Sequence, residues 1–262
     1  MSLTYREAFM NGIDIFADAS ITERTIMFQN GERDKYRVAC AGTAWARRDE
    51  DYRGNMIPTI IDEHYIIYHD CTNNAAELLA ILEAVRMGHH AMMCSDKKTH
   101  INIISDSRIS IQGLRDWIFN WIMNTNNGVM YGSSGPVQNQ RLILQIVYEI
   151  IQNGDFVRFY HIRGHQKTKN VSVFVQSFLK ENGFAVEGVD PRFPEYLIRS
   201  NDRVDTLSRD MLKEPNMKAT EPLYLRESLI AKKQGYIEPI LDMTDFIMNL
   251  DIDKYKYLIG RK

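Results

Sequence analysis

Apolar and polar positions alternate at the start of the chain and then switch to helical spacing. Ile13, Asp14, Ile15, Phe16, Ala17 and Asp18 read as a β-strand with a carboxylate at its end. Residues 25–45 read as strand, turn and strand, with Asn30-Gly31 as a favoured hairpin pair, and His64 to His69 as a third strand. Leu78, Ile81, Leu82 and Val85 then recur at helical spacing, behind Thr72, Asn73 and Asn74 as capping residues. Ile101, Ile103 and Ile104 form an apolar run bounded by Ser105, Asp106 and Ser107, the pattern of a buried strand feeding a helix. Leu114, Trp117, Ile118, Trp121 and Ile122 mark one face of that helix.

Residues 122–140 hold no charge and are rich in Asn, Gly and Ser, which predicts a loop. A helix from about Gln140 to Gln152 follows, closed by Asn153-Gly154, and then a strand from Phe156 to Ile162. A helix near 171–181, a loop holding Pro191 and Pro194, and a core helix marked by Val204, Leu207, Met211 and Leu212 complete the series. This order predicts an α/β fold: a mixed five-stranded sheet flanked by helices. Beyond Pro215 and Pro222, helical patterns near 223–233 and 238–250 predict a helical C-terminal appendage that folds back on the core.

Composition narrows the function classes. The 262 residues are 44% apolar and 25% charged, as in a soluble globular protein of one enlarged domain or one domain plus an appendage. Lys and Arg number 32 against 34 Asp and Glu, so bulk attraction to a polyanion is excluded. A nucleic-acid partner would need a local basic patch or metal ions to offset its phosphates. No apolar run approaches the roughly 18–20 residues that span a bilayer, and Arg6, Glu7, Asp14 and Asp18 break any signal-peptide pattern. Cys40, Cys71 and Cys94 are odd in number and lack C-x-x-C spacing, which predicts a reducing, cytoplasmic setting without disulfides.

Four acidic residues sit where packing would not put them. Asp18 and Asp106 end apolar strands, Glu77 shares a helix stripe with Ala80, Ile81 and Ala84, and Asp205 lies beside Val204 and Ser208. Sites in open sheets of this kind form outside the carboxyl ends of strands, where such residues could converge. Singly, each is more often a cap or a solvated side chain. Together they would repel unless a cation joined them. Mg²⁺ suits carboxylate oxygens, and two ions ~3.5–4 Å apart would activate a water and stabilise the leaving oxygen of a phosphoryl displacement.

The neighbouring residues carry a family resemblance. The stretches are Ile15–Ser20, Thr72–Leu78, Ser105–Ser107, Gln112-Gly113-Leu114, Trp117-Ile118, Asn120-Trp121, Arg163-Gly164-His165 and Asn201–Asp205. In order and most spacings they resemble the type 1 ribonuclease H family over residues 10–212. The resemblance implies the RNase H-like fold and an endonuclease that cuts the RNA strand of RNA–DNA hybrids, leaving 3′-hydroxyl and 5′-phosphate ends. It implies two Mg²⁺ ions, or Mn²⁺ in their place, on Asp18, Glu77, Asp106 and Asp205, with His165 assisting proton transfer or product departure. It further implies RNA-side contacts at Asn74, DNA-phosphate contacts at Thr72 and Asn120, and Trp117 against a deoxyribose. On packing grounds alone Trp117 could equally be core, and Trp121 is better read as core.

Several positions depart from the family pattern. Ala19 replaces a Gly, Thr22 to Thr25 replace a Gly/Pro-rich turn, Asp70 stands where Arg is frequent, and Arg108 where Gln is common. The uncharged 122–140 segment takes the place of a Lys-rich protrusion, leaving Arg141, Lys167, Lys169 and Lys232-Lys233 as candidate phosphate contacts. The 166–200 stretch is an enlarged insertion, and 213–262 is an extension open to a protein partner. Two alternatives stand beside the hybrid nuclease: an integrase-type DNA nuclease on the same sheet, and a catalytically idle nucleic-acid-binding module.

Overall fold

A computed structural model describes residues 5–27, 33–69, 71–95, 98–164, 171–184, 190, 192–213 and 247–261. Helix α1 (Tyr5–Met10) leads into an antiparallel meander of β1 (Gly12–Met27), β2 (Arg33–Glu50) and β3 (Met56–His69). Helix α2 (Asn73–Met93) crosses over to β4 (His100–Ser105). The following helix is continuous but changes winding, through α3 (Arg108–Gln112), a π-helical turn (Gly113–Trp117) and α4 (Ile118–Met123). Short strands β5 (Thr125–Asn126), β6 (Val129–Gly132) and β7 (Gly135–Pro136) precede α5 (Gln140–Asn153) and β8 (Val157–His161). Helices α6 (Val171–Asn182), α7 (Phe193–Met211) and α8 (Ile252–Leu258) complete the described elements. The main sheet has five strands in the order β3-β2-β1-β4-β8, with β4 parallel to both neighbours, so the predicted mixed sheet is observed.

Strand alternation sorts β1 between two cores. Ile13, Ile15 and Ala17 face an aliphatic core shared with α2, α5 and the Trp-bearing helix. Phe16 faces an aromatic core with Phe9, Tyr160, Phe178, Phe193 and Tyr196, built by α1, α6 and α7. On α2 the small residues Ala76, Ala80 and Ala84 are fully buried and let the helix lie close to the sheet. At the start of β1, buried Asp14 accepts from Asn102 Nδ2 (2.7 Å) and Tyr196 OH (3.0 Å), with Arg48 Nε at 3.6 Å. That satisfied network makes Asp14 a structural carboxylate.

The structure corrects several expectations. β1 does not end at Asp18 but runs nine residues further, to Met27. The 122–140 segment is a three-stranded antiparallel meander, held by Gln140 Oε1 on the Met130 N–H (2.9 Å) with Met130 fully buried. The expected loop around Pro194 is instead the first turn of α7, where proline's missing N–H costs nothing. The inserted 166–200 stretch supplies α6, whose Phe174, Phe178 and Leu179 cover the second face of the sheet.

The patterns at 223–233 and most of 238–250 lie outside the described residues, as does the Asn30-Gly31 turn. The end of the chain does fold back on the core. Ile247, Tyr255, Leu258 and Ile259 are buried there, and Tyr255 OH donates to Leu114 O at 2.8 Å. Each such large side chain contributes roughly 1.5–3 kcal/mol by burial. Helix α8 was not expected, although Asp251 caps it by accepting from Lys254 N (2.9 Å) and Gly260 follows it at φ +70°. Among the described residues no helix is long and apolar enough to cross a membrane.

Candidate active site

Strand lengths create the site. Ala17↔Ser105 is the last pair between β1 and β4, after which β4 stops and β1 continues beside β2. Asp18 is the next residue of β1 and Asp106 the first beyond the end of β4, at the opening this mismatch leaves. Glu77 enters from the first turns of α2, whose start is set by Thr72 Oγ1 accepting from Ala75 N at 3.2 Å. Carboxylate oxygens of Asp18, Glu77 and Asp106 all lie within 4.8 Å of one another.

This proximity is electrostatically costly without a cation. Burial raises the Asp18 carboxyl to about 8, reinforced by the negative charges of Asp106 and Asp205 and only partly offset by the Ala19 N–H. Glu77 is pushed well above the usual carboxylate range by burial, then by Asp18 and Asp106. Its Oε2 is buried and has no hydrogen-bond partner among the described residues. Three clustered carboxylates, one with an unpartnered buried oxygen, are a donor set of hard oxygens, which fits a divalent cation.

Asp205 stands one step away. It is not within the 4.8 Å set, and its Oδ2 pairs with Arg209 Nη2 at 3.0 Å, one turn further along α7. Its charge nonetheless reaches Asp18. The same helix margin is tied to β1 by Ser208 Oγ against Ser20 Oγ at 2.8 Å.

Two residues escaped assignment from the sequence. Arg209 is legible in retrospect as an i,i+4 partner of Asp205. Gly164 belongs to the Arg163-Gly164-His165 motif, whose sequence alone gives the glycine no role. A β-carbon there would collide with Asp106 Oδ2 and lie 3.1 Å from Cγ, so its backbone walls one side of that carboxylate. His165 lies outside the described residues, as do Asp70, Lys167, Lys169 and Lys232-Lys233.

Residues 37–174, more than half of the chain, match the family model described as RNase H. The chain belongs to the RNase H family. The ribonuclease H of Rickettsia massiliae is 32% identical over 96 residues, covering 37% of this chain and 55% of that protein. Ribonuclease HI of Rickettsia conorii is 31% identical over the same length and the same shares. The chain thus spans about half the length of the curated relatives it matches. Among solved structures, the RNase H domain of the foamy virus PFV is similar over 67% of this chain and 96% of its own, at 14% identity and a TM-score of 0.41.

Around this RNase H-family cluster, Thr72 and Asn74 are exposed together at the N-terminus of α2, where helical N–H groups favour an anion. Trp117 is 38% exposed and its ring centroid is 5.8 Å from that of Trp121, which packs half-buried on the aliphatic core. The π turn ends at Trp117 and Trp121 follows one α-helical turn later, so the two rings lie side by side with Trp121 nearer the core. Asn120 lines a cavity of about 490 Å³ between α4 and α8, with Phe119 and Met123 on one side and Ile252, Lys256 and Arg261 on the other. The cations that line this cavity with Asn120 are Lys256 on α8 and Arg261 just after it, not the residues singled out in the sequence.

Proposed function

We propose that the protein is an endoribonuclease that hydrolyses the RNA strand of RNA–DNA hybrids, with Mg²⁺ or Mn²⁺ held by Asp18, Glu77 and Asp106 and approached by Asp205. The observation that carries this reading is the cluster itself: three carboxylates within 4.8 Å, one oxygen orphaned, in a chain of the RNase H family. On this reading residues 10–212 form the catalytic domain, and 213–262 an extension whose described end closes the core.

When bound, the metal pair supplies the positive charge that activates a water and neutralises the departing oxygen of an in-line displacement. The chain's own residues do the rest. Asp18 on β1 and Asp106 immediately after the adjacent parallel β4 hold their oxygens side by side, and Glu77 joins them from a helix seated on the same sheet. Arg209 limits the repulsion that Asp205 adds. His165 is proposed to move a proton at the scissile phosphate or to ease product departure, work suited to a group that titrates near neutrality. Thr72, Asn74 and Asn120 would engage the sugar–phosphate backbones, and Trp117 a sugar face. Such contacts read duplex shape and 2′-hydroxyls rather than sequence.

The test compares labelled RNA–DNA hybrid, duplex RNA, duplex DNA and single strands on gels, with and without Mg²⁺. Hybrid cleavage that requires Mg²⁺ and leaves 3′-hydroxyl ends is expected. Cutting of duplex DNA would favour an integrase-type enzyme, and binding without cutting an idle module. Trp117→Ala should weaken hybrid binding by about five- to tenfold, about 1–1.4 kcal/mol, and leave the Mg²⁺ requirement unchanged. Fluorescence anisotropy on labelled hybrid reads the first, and a Mg²⁺ titration of cleavage the second.

A further inference from the structure

The inserted helix α6 ends on the strand that leads to the candidate site. β8 is the edge of the described sheet, so among the described residues its outward backbone groups have no strand partner. At its last residue one amide side chain takes that place. Asn182 Oδ1 accepts from His161 N (3.0 Å), and Asn182 Nδ2 donates to His161 O (2.9 Å) and to Phe178 O (2.8 Å). The adjacent Glu181 holds the side chains. Its Oε2 is 2.6 Å from His161 Nδ1, and its Oε1 accepts from Arg163 Nη2 (3.1 Å) and Ser177 Oγ (3.0 Å). From the inner side, Ile162 N donates to Ser105 O at 3.0 Å, one residue before Asp106. The chain is thus gripped from both sides over His161 to Arg163, immediately before Gly164 abuts Asp106.

We infer that Glu181 and Asn182 are positioning residues: from the insertion they hold the end of β8 so that the Gly164 backbone keeps the Asp106 carboxylate aimed into the metal cluster. The inference rests on the proposed metal site and gives the insertion a role in it. A carboxylate confined by backbone cannot swing away from its neighbours to relieve their repulsion, so the cluster stays preorganised for the cation.

The experiment uses the full chain and measures Mg²⁺ binding by calorimetry without substrate, alongside the Mg²⁺ dependence of hybrid cleavage and thermal stability. Asn182→Ala and Glu181→Ala are each expected to weaken Mg²⁺ binding about tenfold, the low end for residues that orient metal ligands from outside the coordination shell. Glu181→Gln, which keeps one acceptor oxygen, should lie closer to the parent. Val175→Ala trims a half-buried side chain elsewhere on α6; it should lower Tm while leaving Mg²⁺ binding within about twofold of the parent. If the parent binds Mg²⁺ and both alanine variants bind it equally well, this inference fails while the metal site stands. Equal weakening by Val175→Ala would reduce the clamp to ordinary packing and also overturn it. A parent that binds no Mg²⁺ overturns both readings.

Discussion

Asp18→Asn is expected to abolish hybrid cleavage and, at the same time, to stabilise the metal-free protein above neutral pH. The loss of activity should be at least about 10²–10³-fold, the scale set by removing one preorganised electrostatic contact. The gain in stability follows from linkage. The Asp18 carboxyl titrates at about 8 in the fold against 3.8 when unperturbed, through burial, then Asp106 and Asp205. A raised folded-state pKa gives stability that is full below the unfolded value and is lost as pH rises through the folded one. Metal-free parent should therefore grow more stable as pH falls from about 8 towards 4, contrary to the usual behaviour of a carboxylate. Asparagine carries no charge at any pH and removes this dependence. With about four pKa units between the two values and each near 1.4 kcal/mol, its advantage at pH 8 should be at most about 6 kcal/mol and vanish near pH 4. Urea unfolding at several pH values in a chelating buffer measures it. A variant that cleaves hybrid like the parent, or that is less stable at pH 8, would remove Asp18 from the cluster.

Gly164→Ala should act on the same site from the backbone side. The glycine's φ lies outside the left-handed region, so alanine incurs no conformational strain there. Its methyl group would, however, occupy the place of Asp106 Oδ2. The carboxylate must rotate or be pushed from the cluster, because the β4–β8 ladder through Ser105↔His161 resists a backbone shift. Cleavage should fall about 10²-fold and half-saturation should need about tenfold more Mg²⁺, with Tm lowered by only a few degrees. The opposite result, a large loss of stability with an unchanged Mg²⁺ requirement, would mean that the backbone yields and Asp106 does not.

Much of the site was legible before any fold was known. Alternation places Asp18 on the side of β1 opposite Ile13, Ile15 and Ala17, and helical spacing places Glu77 in line with Ala80, Ile81 and Ala84. The apolar 101–104 run marks the strand that ends beside Asp106. These are properties of a single element's period, which local covalent geometry imposes on any sequence.

What the sequence determined by itself is therefore the element order, the faces, and the residues able to bear charge in the interior. Distances between elements belonged to the tertiary structure. Only the register Ala17↔Ser105 reveals that β4 stops short of β1 and opens the sheet at Asp18. Only the packing of this helix on the aliphatic core separates exposed Trp117 from half-buried Trp121. The grip of α6 on β8 and the seat of α8 at Leu114 likewise depend on which elements meet. Such contacts join residues tens to more than a hundred positions apart, and no local period encodes them. They form when burial of two apolar faces brings the elements together, and polar partners are then chosen from what the packing leaves within reach.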